Sequence, residues 1–432
     1  MGIYLSQPVT EKHSVDGIFE SGKNKALEYG ISDMQGWRQS MEDAYVATPN
    51  IPRGESSEET SIFAVFDGHG GKEVAKFCSE YFVKELLKLP DFTEADYSKA
   101  LIECFHKMDD MLMDSSFTSE IKRYQSNEDN EQNPASEAVE CENEGAGSEG
   151  VEDSPSKKVE SPVEVSNKEC ASEDSTDGVA TGDNDDVKKS ITASVKRQLD
   201  EAEAKGSLSK NEALDLMMKM LKLKRLENET KDENQNGLIT EAGCTAIVAL
   251  LVNNHLFVAN AGDSRGVLCS NGEAIALSED HKPTDSNEHA RIKAAGGFVN
   301  EQGRVNGNLN LSRAIGDLRY KGNDELDRAD QIISAQPDVR VFNITSNDYF
   351  FILACDGVWD IMKNDEIVDF VNAEILNSES VKASTIIEKI FDKCISEDPM
   401  KTNGLGGDNM TCILVFLRPV EEIKQLLNDT KT

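Results

Sequence analysis

Apolar and polar positions follow two periods along most of this chain. Ser61 to Phe66, SIFAVF, is a nearly unbroken apolar run and predicts a short buried strand. After Gly70–Gly71, the residues Val74, Phe77, Cys78, Tyr81, Phe82 and Leu86 fall on one face of a helix predicted over Lys72 to Leu89. Tyr97 to Met113 repeats that period with Ala100, Leu101, Cys104, Phe105, Met108 and Leu112. From about residue 240 the strand period returns. Cys244 to Val252 and Leu256 to Ala261 predict two strands around the turn Asn253–Asn254. Gly266 to Cys269 and Glu273 to Leu277 flank Asn271–Gly272, a strong hairpin signal. Tyr349 to Cys355 and Met410 to Leu417 read as further buried strands, and helical periods occur at 285–295, 363–376 and 381–396. Strand-rich halves with helices outside them predict a layered α+β domain.

The pattern fails between 126 and 190. This stretch holds nineteen Asp or Glu against five Lys and no aromatic residue. It has too little apolar surface to offset the entropy of ordering, so disorder is predicted. It interrupts one domain and does not separate two. Ser154–Pro155 and Ser161–Pro162 are weak phosphoacceptor candidates. Beyond it, Ser209 and Glu212 form a candidate capping box. Leu214, Met217, Met218 and Leu221 then share a helical face, with Lys219, Lys222, Lys224 and Arg225 between them. Docking of this helix on its own domain is favoured over partner binding. The predicted organisation is an N-terminal segment 1–24, a first catalytic part 25–125, a disordered acidic insertion 126–205 and a second catalytic part 206–420. Residues 206–228 are the docking helix, and 421–432 form a C-terminal tail.

The chain has 432 residues, 38% of them hydrophobic, and a formal charge of −35. That length buries one large core or two ordinary ones. The charge argues against direct nucleic-acid binding and suits basic partners and hard cations. Nine Cys in irregular spacing, with no N-terminal apolar segment, suggest a reduced, intracellular protein. No apolar run reaches the roughly 18 residues of a membrane span. The opening Met1–Gly2–Ile3–Tyr4–Leu5–Ser6 fits N-myristoylation at Gly2, which alone gives at most transient membrane contact.

Five acidic segments carry the chemistry. They are Arg38–Met41–Glu42–Asp43, Asp67–Gly68–His69–Gly70–Gly71, Asp263, Asp356–Gly357 with Asp360, and Asp408–Asn409. Three share one grammar, an apolar run ending in an acid that a small or turn-forming residue follows. Carboxylates at strand ends, with no matching Cys or His cluster, suit Mg²⁺ or Mn²⁺ and not zinc. Glu42 and Asp43 are adjacent, so in an extended segment only one points directly into a shared site. Taken singly, Asp67–Gly68 and Asp356–Gly357 read as turns, Glu42–Asp43 as a solvated pair, and Arg38 and His69 as surface residues.

Together and in order, GWRQSMED, VFDGHGG, GCTA (Gly243 to Ala246), ANAGDSR, LSRAIGD (Leu311 to Asp317), ACDGVWD and GGDNMT resemble the metal-dependent protein phosphatase family of the 2C type. MGIYLSQP and the acidic insertion resemble its gamma subtype. The resemblance covers about residues 27–125 and 238–420. It implies a four-layer α-β-β-α sandwich of two antiparallel sheets, with metals in a cleft at one end. Asp67 would bridge two ions. Asp356 and Asp408 would complete the first site, and Glu42 with the carbonyl of Gly68 the second. Asp43 would bind through water, and Asp263, Asp356 and Asp360 would form a weaker third site. Arg38 would clamp the phosphate, and His69 would be the general acid. Asp285 to Asp317 resembles the flap beside the cleft.

The sequence therefore predicts a serine/threonine phosphoprotein phosphatase. A hydroxide bridging two divalent ions would attack phosphoserine or phosphothreonine directly, with no phosphoenzyme. Substrates would include basic proteins such as histones or splicing factors, in nucleus and cytoplasm. The alternative is an acidic binding or chaperone-like protein for basic nuclear clients. A P-loop kinase or ATPase is excluded, since no G-x-x-x-x-G-K-[ST] occurs.

Overall fold

The computed structural model describes residues 4–20, 26–51, 59–126 and 239–429. Gly2, the acidic insertion from residue 127 onward and the helix predicted at 206–228 lie outside the described residues.

One sheet has six antiparallel strands: β1 (Val9–Glu20), β2 (Ala26–Gly36), β9 (Arg265–Ser270), β10 (Glu273–Ala276), β13 (Asp348–Ala354) and β14 (Met410–Phe416), in the order β1-β2-β14-β13-β9-β10. A second has five: β3 (Ala44–Thr48), β4 (Thr60–Phe66), β7 (Ala246–Val252), β8 (His255–Ala261) and β12 (Asp338–Asn343), in the order β12-β8-β7-β4-β3. Three two-residue strands, β5 (Gly68–His69), β6 (Gly243–Cys244) and β11 (Ile315–Gly316), pair as β11-β6-β5.

Strand β4 shows why its sequence is apolar throughout. Side chains alternate across a strand, and here both faces are buried. Ile62, Ala64 and Phe66 pack under the helices Glu73–Leu86 and Tyr97–Met113, against Phe77, Phe82, Leu101 and Phe105. Phe63 and Val65 face the other sheet, among Ile31, Phe351, Leu353 and Ile413. Phe63 and Phe351 meet edge to face across the sandwich, with centroids 5.9 Å apart. On the far side, the helices Asn364–Asn377, Ala383–Cys394 and Val420–Asp429 cover the six-stranded sheet through Ile367, Val371, Ile387, Ile390, Ile423 and Leu427. These are the four layers of the predicted sandwich. At the predicted hairpin Asn271 and Gly272 both take positive φ, 51° and 84°, as a primed turn requires.

Three local readings change. Residues 9–20, assigned to an N-terminal segment, form the edge strand β1. Most of the assigned C-terminal tail is a helix that buries Ile423 and Leu427. The strand predicted over Cys244 to Val252 breaks at Thr245, so that Gly243–Cys244 turns toward Gly68–His69. Among the described residues, no helix is long and apolar enough to cross a membrane.

Candidate metal centre and active site

The predicted acids gather where the central strands end. Asp67 follows β4, Asp263 follows β8, Asp356 follows β13 and Asp408 precedes β14. Neither Asp-Gly pair is a hairpin turn. Gly68 opens β5 and lies against the backbone carbonyl of Glu42, where any Cβ would overlap that oxygen. Gly357 lies in the short helix Asp356–Trp359, and a Cβ there would overlap the carbonyl of Asn409. Each glycine lets one acidic segment touch another.

Asn409 ties these segments together. Its Nδ2 donates to the carbonyls of Gln35 (2.7 Å) and Ser40 (3.0 Å), and its Oδ1 accepts from the Glu42 N–H at 3.0 Å. Glu42 accepts from Ser40 Oγ at 2.9 Å and from the Gly71 N–H at 3.3 Å. Asp43 turns the other way, as the extended-chain argument requires. It is buried, and it accepts from Thr411 Oγ1 at 2.7 Å. Arg265 of the ANAGDSR segment has a structural role, gripping Asp280 with two hydrogen bonds of 2.8 Å.

Asp67, Asp263 and Asp356 each bring a carboxylate oxygen within 4.8 Å of the others. This trio runs across the division into separate sites that the resemblance implied. Asp360 is exposed one turn after Asp356, and its charge acts on Asp356. Burial pushes the Asp67 carboxyl well up, and the charges of Asp356, Asp43 and Asp408 push it further. Asp356 is raised by burial and then by Asp263 and Asp408. Burial lifts Asp43 to about 7, against its bond from Thr411. Two cations stand at the rim: Arg38 donates to Asp408, and Lys282 donates to Asp263. Asp263 Oδ1 is buried without a hydrogen-bond partner. Oxygen donors in excess of the available cations, with Asp43 Oδ1 and Asp263 Oδ1 both lacking a hydrogen-bond partner, fit hard divalent ions.

His69 Nε2 meets Asp317 Oδ2 at 2.6 Å. Burial disfavours the imidazolium, but the Asp317 carboxylate outweighs it and the His69 pKa is raised. The structure thus brings Arg38, Glu42, Asp43, Asp67, Gly68, His69, Asp263, Asp356, Asp360 and Asp408 to one end of the sandwich. Sequence reasoning gave no role to Asp317, Asn409 or Lys282. The signal was present for Asp317, an acid closing LSRAIGD, but its partner is 248 residues away.

Within the stretch Asp285 to Asp317, expected to be the flap, Ile292, Val305 and Ala314 form a small core with Tyr320 and Ile333 beyond it. Beside it, buried Glu288 accepts from Arg291 Nη2 at 2.6 Å and from Arg313 Nη2 at 2.7 Å.

An antiparallel sandwich closed at one end by an acidic cluster offers a candidate site for divalent metal ions. A family model described as Protein phosphatase 2C matches residues 27–146 and 152–402. The chain belongs to that family, the metal-dependent protein serine/threonine phosphatases. It is 34% identical over 418 residues to "Probable protein phosphatase 2C 5" of Paramecium tetraurelia, covering 97% of this chain and 100% of that protein. To human "Protein phosphatase 1G" it is 33% identical, covering 97% of this chain and 93% of that protein. The fold is also that of a solved Toxoplasma gondii phosphatase, with a TM-score of 0.53 at 20% identity over 94% of this chain and 96% of that one. These comparisons give no support to an acidic binding or chaperone-like protein as the alternative.

Proposed function

We propose that the chain hydrolyses phosphoserine and phosphothreonine in proteins, with two Mg²⁺ or Mn²⁺ ions in the acidic cluster and a weaker third beside Asp263, Asp356 and Asp360. The carrying observation is the convergence of Asp67, Asp263 and Asp356 next to a histidine that a buried aspartate orients. Asp67, Asp356, Asp408, Glu42 and the carbonyl of Gly68 would hold the two main ions, and Asp43 would bind through water. When bound, the ions offset the carboxylates' charge, which would otherwise repel a phosphate dianion, and supply an acidified water. Arg38 sits at the rim with one guanidinium nitrogen on Asp408, and its fork of N–H donors suits phosphate oxygens. His69, oriented by Asp317, whose carboxylate raises its pKa, donates a proton to the departing serine or threonine oxygen.

The acidic segment 126–190 supports a preference for basic phosphoproteins, such as histones or splicing factors, by charge alone. Deleting it is expected to weaken turnover of a basic phosphoprotein and to spare a small aryl phosphate. The test of the reaction itself is hydrolysis of a phosphothreonine peptide with Mn²⁺, with Mg²⁺ and with EDTA. Turnover that depends on either metal is expected, and equal turnover in EDTA would overturn the reading.

A further inference from the structure

A buried ion pair outside every acidic segment holds the loop that carries Asp317. Asp109 lies near the end of the helix Tyr97–Met113 and is 7% exposed. Its Oδ1 accepts the Gly316 N–H at 2.8 Å. Its Oδ2 accepts from Lys321 Nζ at 2.5 Å, and the same ammonium donates to the Ala314 carbonyl at 2.7 Å. The loop from Ala314 to Lys321 is therefore closed around one carboxylate.

That loop holds a backbone which does not hold itself. Gly316 has φ +79° and Asp317 has φ +50°, two consecutive left-handed residues. The first must be glycine, because a Cβ there would collide with the Ala242 carbonyl. The second is an aspartate in a region that disfavours a side-chain-bearing residue. Its N–H donates to the Ala242 carbonyl at 3.0 Å and its carbonyl accepts from Tyr320 at 2.9 Å. These bonds persist only while the loop keeps its path, and the residue just before Asp317 is fixed by Asp109.

We infer that Asp109 and Lys321 are positioning residues for proton donation, acting through Gly316 and Asp317 on His69. This rests on the reading of His69 as the proton donor. A buried Asp–Lys pair with a purely structural role would share the bonds but not the consequence. Loss of its position would let Asp317 relax out of the left-handed region and release Nε2 of His69. Neither Asp109 nor Lys321 bonds to Asp67, Asp263 or Asp356, and the loop connects to Gly68–His69 through the short strand Gly243–Cys244.

The leaving group separates these cases. A serine or threonine alkoxide needs a proton as the P–O bond breaks, whereas p-nitrophenolate leaves as a stable anion. The experiment compares turnover of a phosphothreonine peptide and p-nitrophenyl phosphate, with saturating Mn²⁺, by the full chain and four variants. His69→Gln should lose roughly 100-fold on the peptide and far less on the aryl phosphate. Asp109→Ala and Lys321→Met should each lose roughly tenfold on the peptide, with the same selectivity. Asp109→Asn should recover most of the peptide turnover, since its amide oxygen still accepts the Gly316 N–H. Should Asp109→Ala not fold, Lys321→Met carries the test. Equal losses on both substrates, or no loss on either, in Asp109→Ala and Lys321→Met overturn the inference while a selective His69→Gln leaves the reading of His69 standing. A His69→Gln variant without selectivity overturns both.

Discussion

Two buried acidic centres in this chain differ in one respect, the source of their counter-charge. At the sandwich end, Asp67, Asp263 and Asp356 crowd within 4.8 Å, and burial first, then for Asp67 and Asp356 the neighbouring acids, drives their carboxyl pKa values upward. In the flap, burial alone would raise Glu288 too, but hydrogen bonds and charge from Arg313 and Arg291 hold it down to about 2. Glu288 is only 4% exposed and Asp263 only 1%, so burial does not separate them. The chain itself supplies two guanidinium groups to the first and leaves the second short of cations. Glu288 is therefore architecture, whereas the cluster carries carboxylate charge that divalent ions could offset.

The largest test reverses the cluster's deficit by mutation. Asp67→Asn is expected to lower metal-supported turnover of a phosphothreonine peptide roughly 1,000-fold, the equivalent of several kcal/mol of charge stabilisation. The same change removes one of several repelling acids. Its unfolding midpoint in EDTA should rise above that of the native chain. A fall in EDTA would mean that Asp67 is structural, like Glu288.

The matching change in the flap should do the opposite. Glu288→Gln leaves Arg291 and Arg313 facing each other without their carboxylate, at a cost of about 3 kcal/mol in denaturant unfolding. A pH series sharpens this. The folded-state pKa of Glu288 is depressed from 4.5 to about 2, so its stabilisation is complete above 4.5 and is lost as pH falls toward 2. That acid limb, about 3 kcal/mol by linkage, should be present in the native chain and absent from Glu288→Gln. Parallel curves for the two proteins would sink the assignment.

The two centres were unequally legible in the sequence. Asp67, Asp356 and Asp408 could be read because each adjoins a strand whose apolar run is visible by itself. The central strands were legible for the same reason, since burial on both faces removes polar residues from β4, β7, β13 and β14. Edge strands are not so purified. β1 and β12 carry exposed side chains such as Ile18 and Val341 among polar neighbours, and neither was expected as a strand. Long-range polar pairs leave no periodic trace at all. Asp109 meets Gly316 across 207 residues, and Arg265 looked like part of a catalytic segment although it clamps Asp280.

Metal itself should separate the centres next. Mg²⁺ or Mn²⁺ at about 100 times its dissociation constant should stabilise the native chain by about 2.7 kcal/mol. The gain should persist in Glu288→Gln, because the flap acid has its cations already. It should shrink in Asp67→Asn. Denaturant unfolding with and without metal reads all three, and an equal gain in every protein would place the ions elsewhere.

The smallest effect concerns the residue that makes the cluster partly resemble the flap. Lys282 donates to Asp263, and its pKa is raised because the charge of Asp263 outweighs burial. Its side chain is 37% exposed, so the pair is worth far less than the Glu288 bonds. An ammonium on Asp263 offsets the charge that would attract a cation from solvent, so the two are expected to compete. Lys282→Met should therefore tighten binding of the weakest Mn²⁺ ion roughly fivefold, which corresponds to about 1 kcal/mol. In EDTA the same variant should lose a similar amount of stability, since Asp263 then keeps neither cation. Calorimetric titration with Mn²⁺ reads the first effect and denaturant unfolding the second. Unchanged or weaker Mn²⁺ binding would show that Lys282 only fills space at the rim, and the contrast between the two centres would then rest on the guanidinium pair of the flap alone.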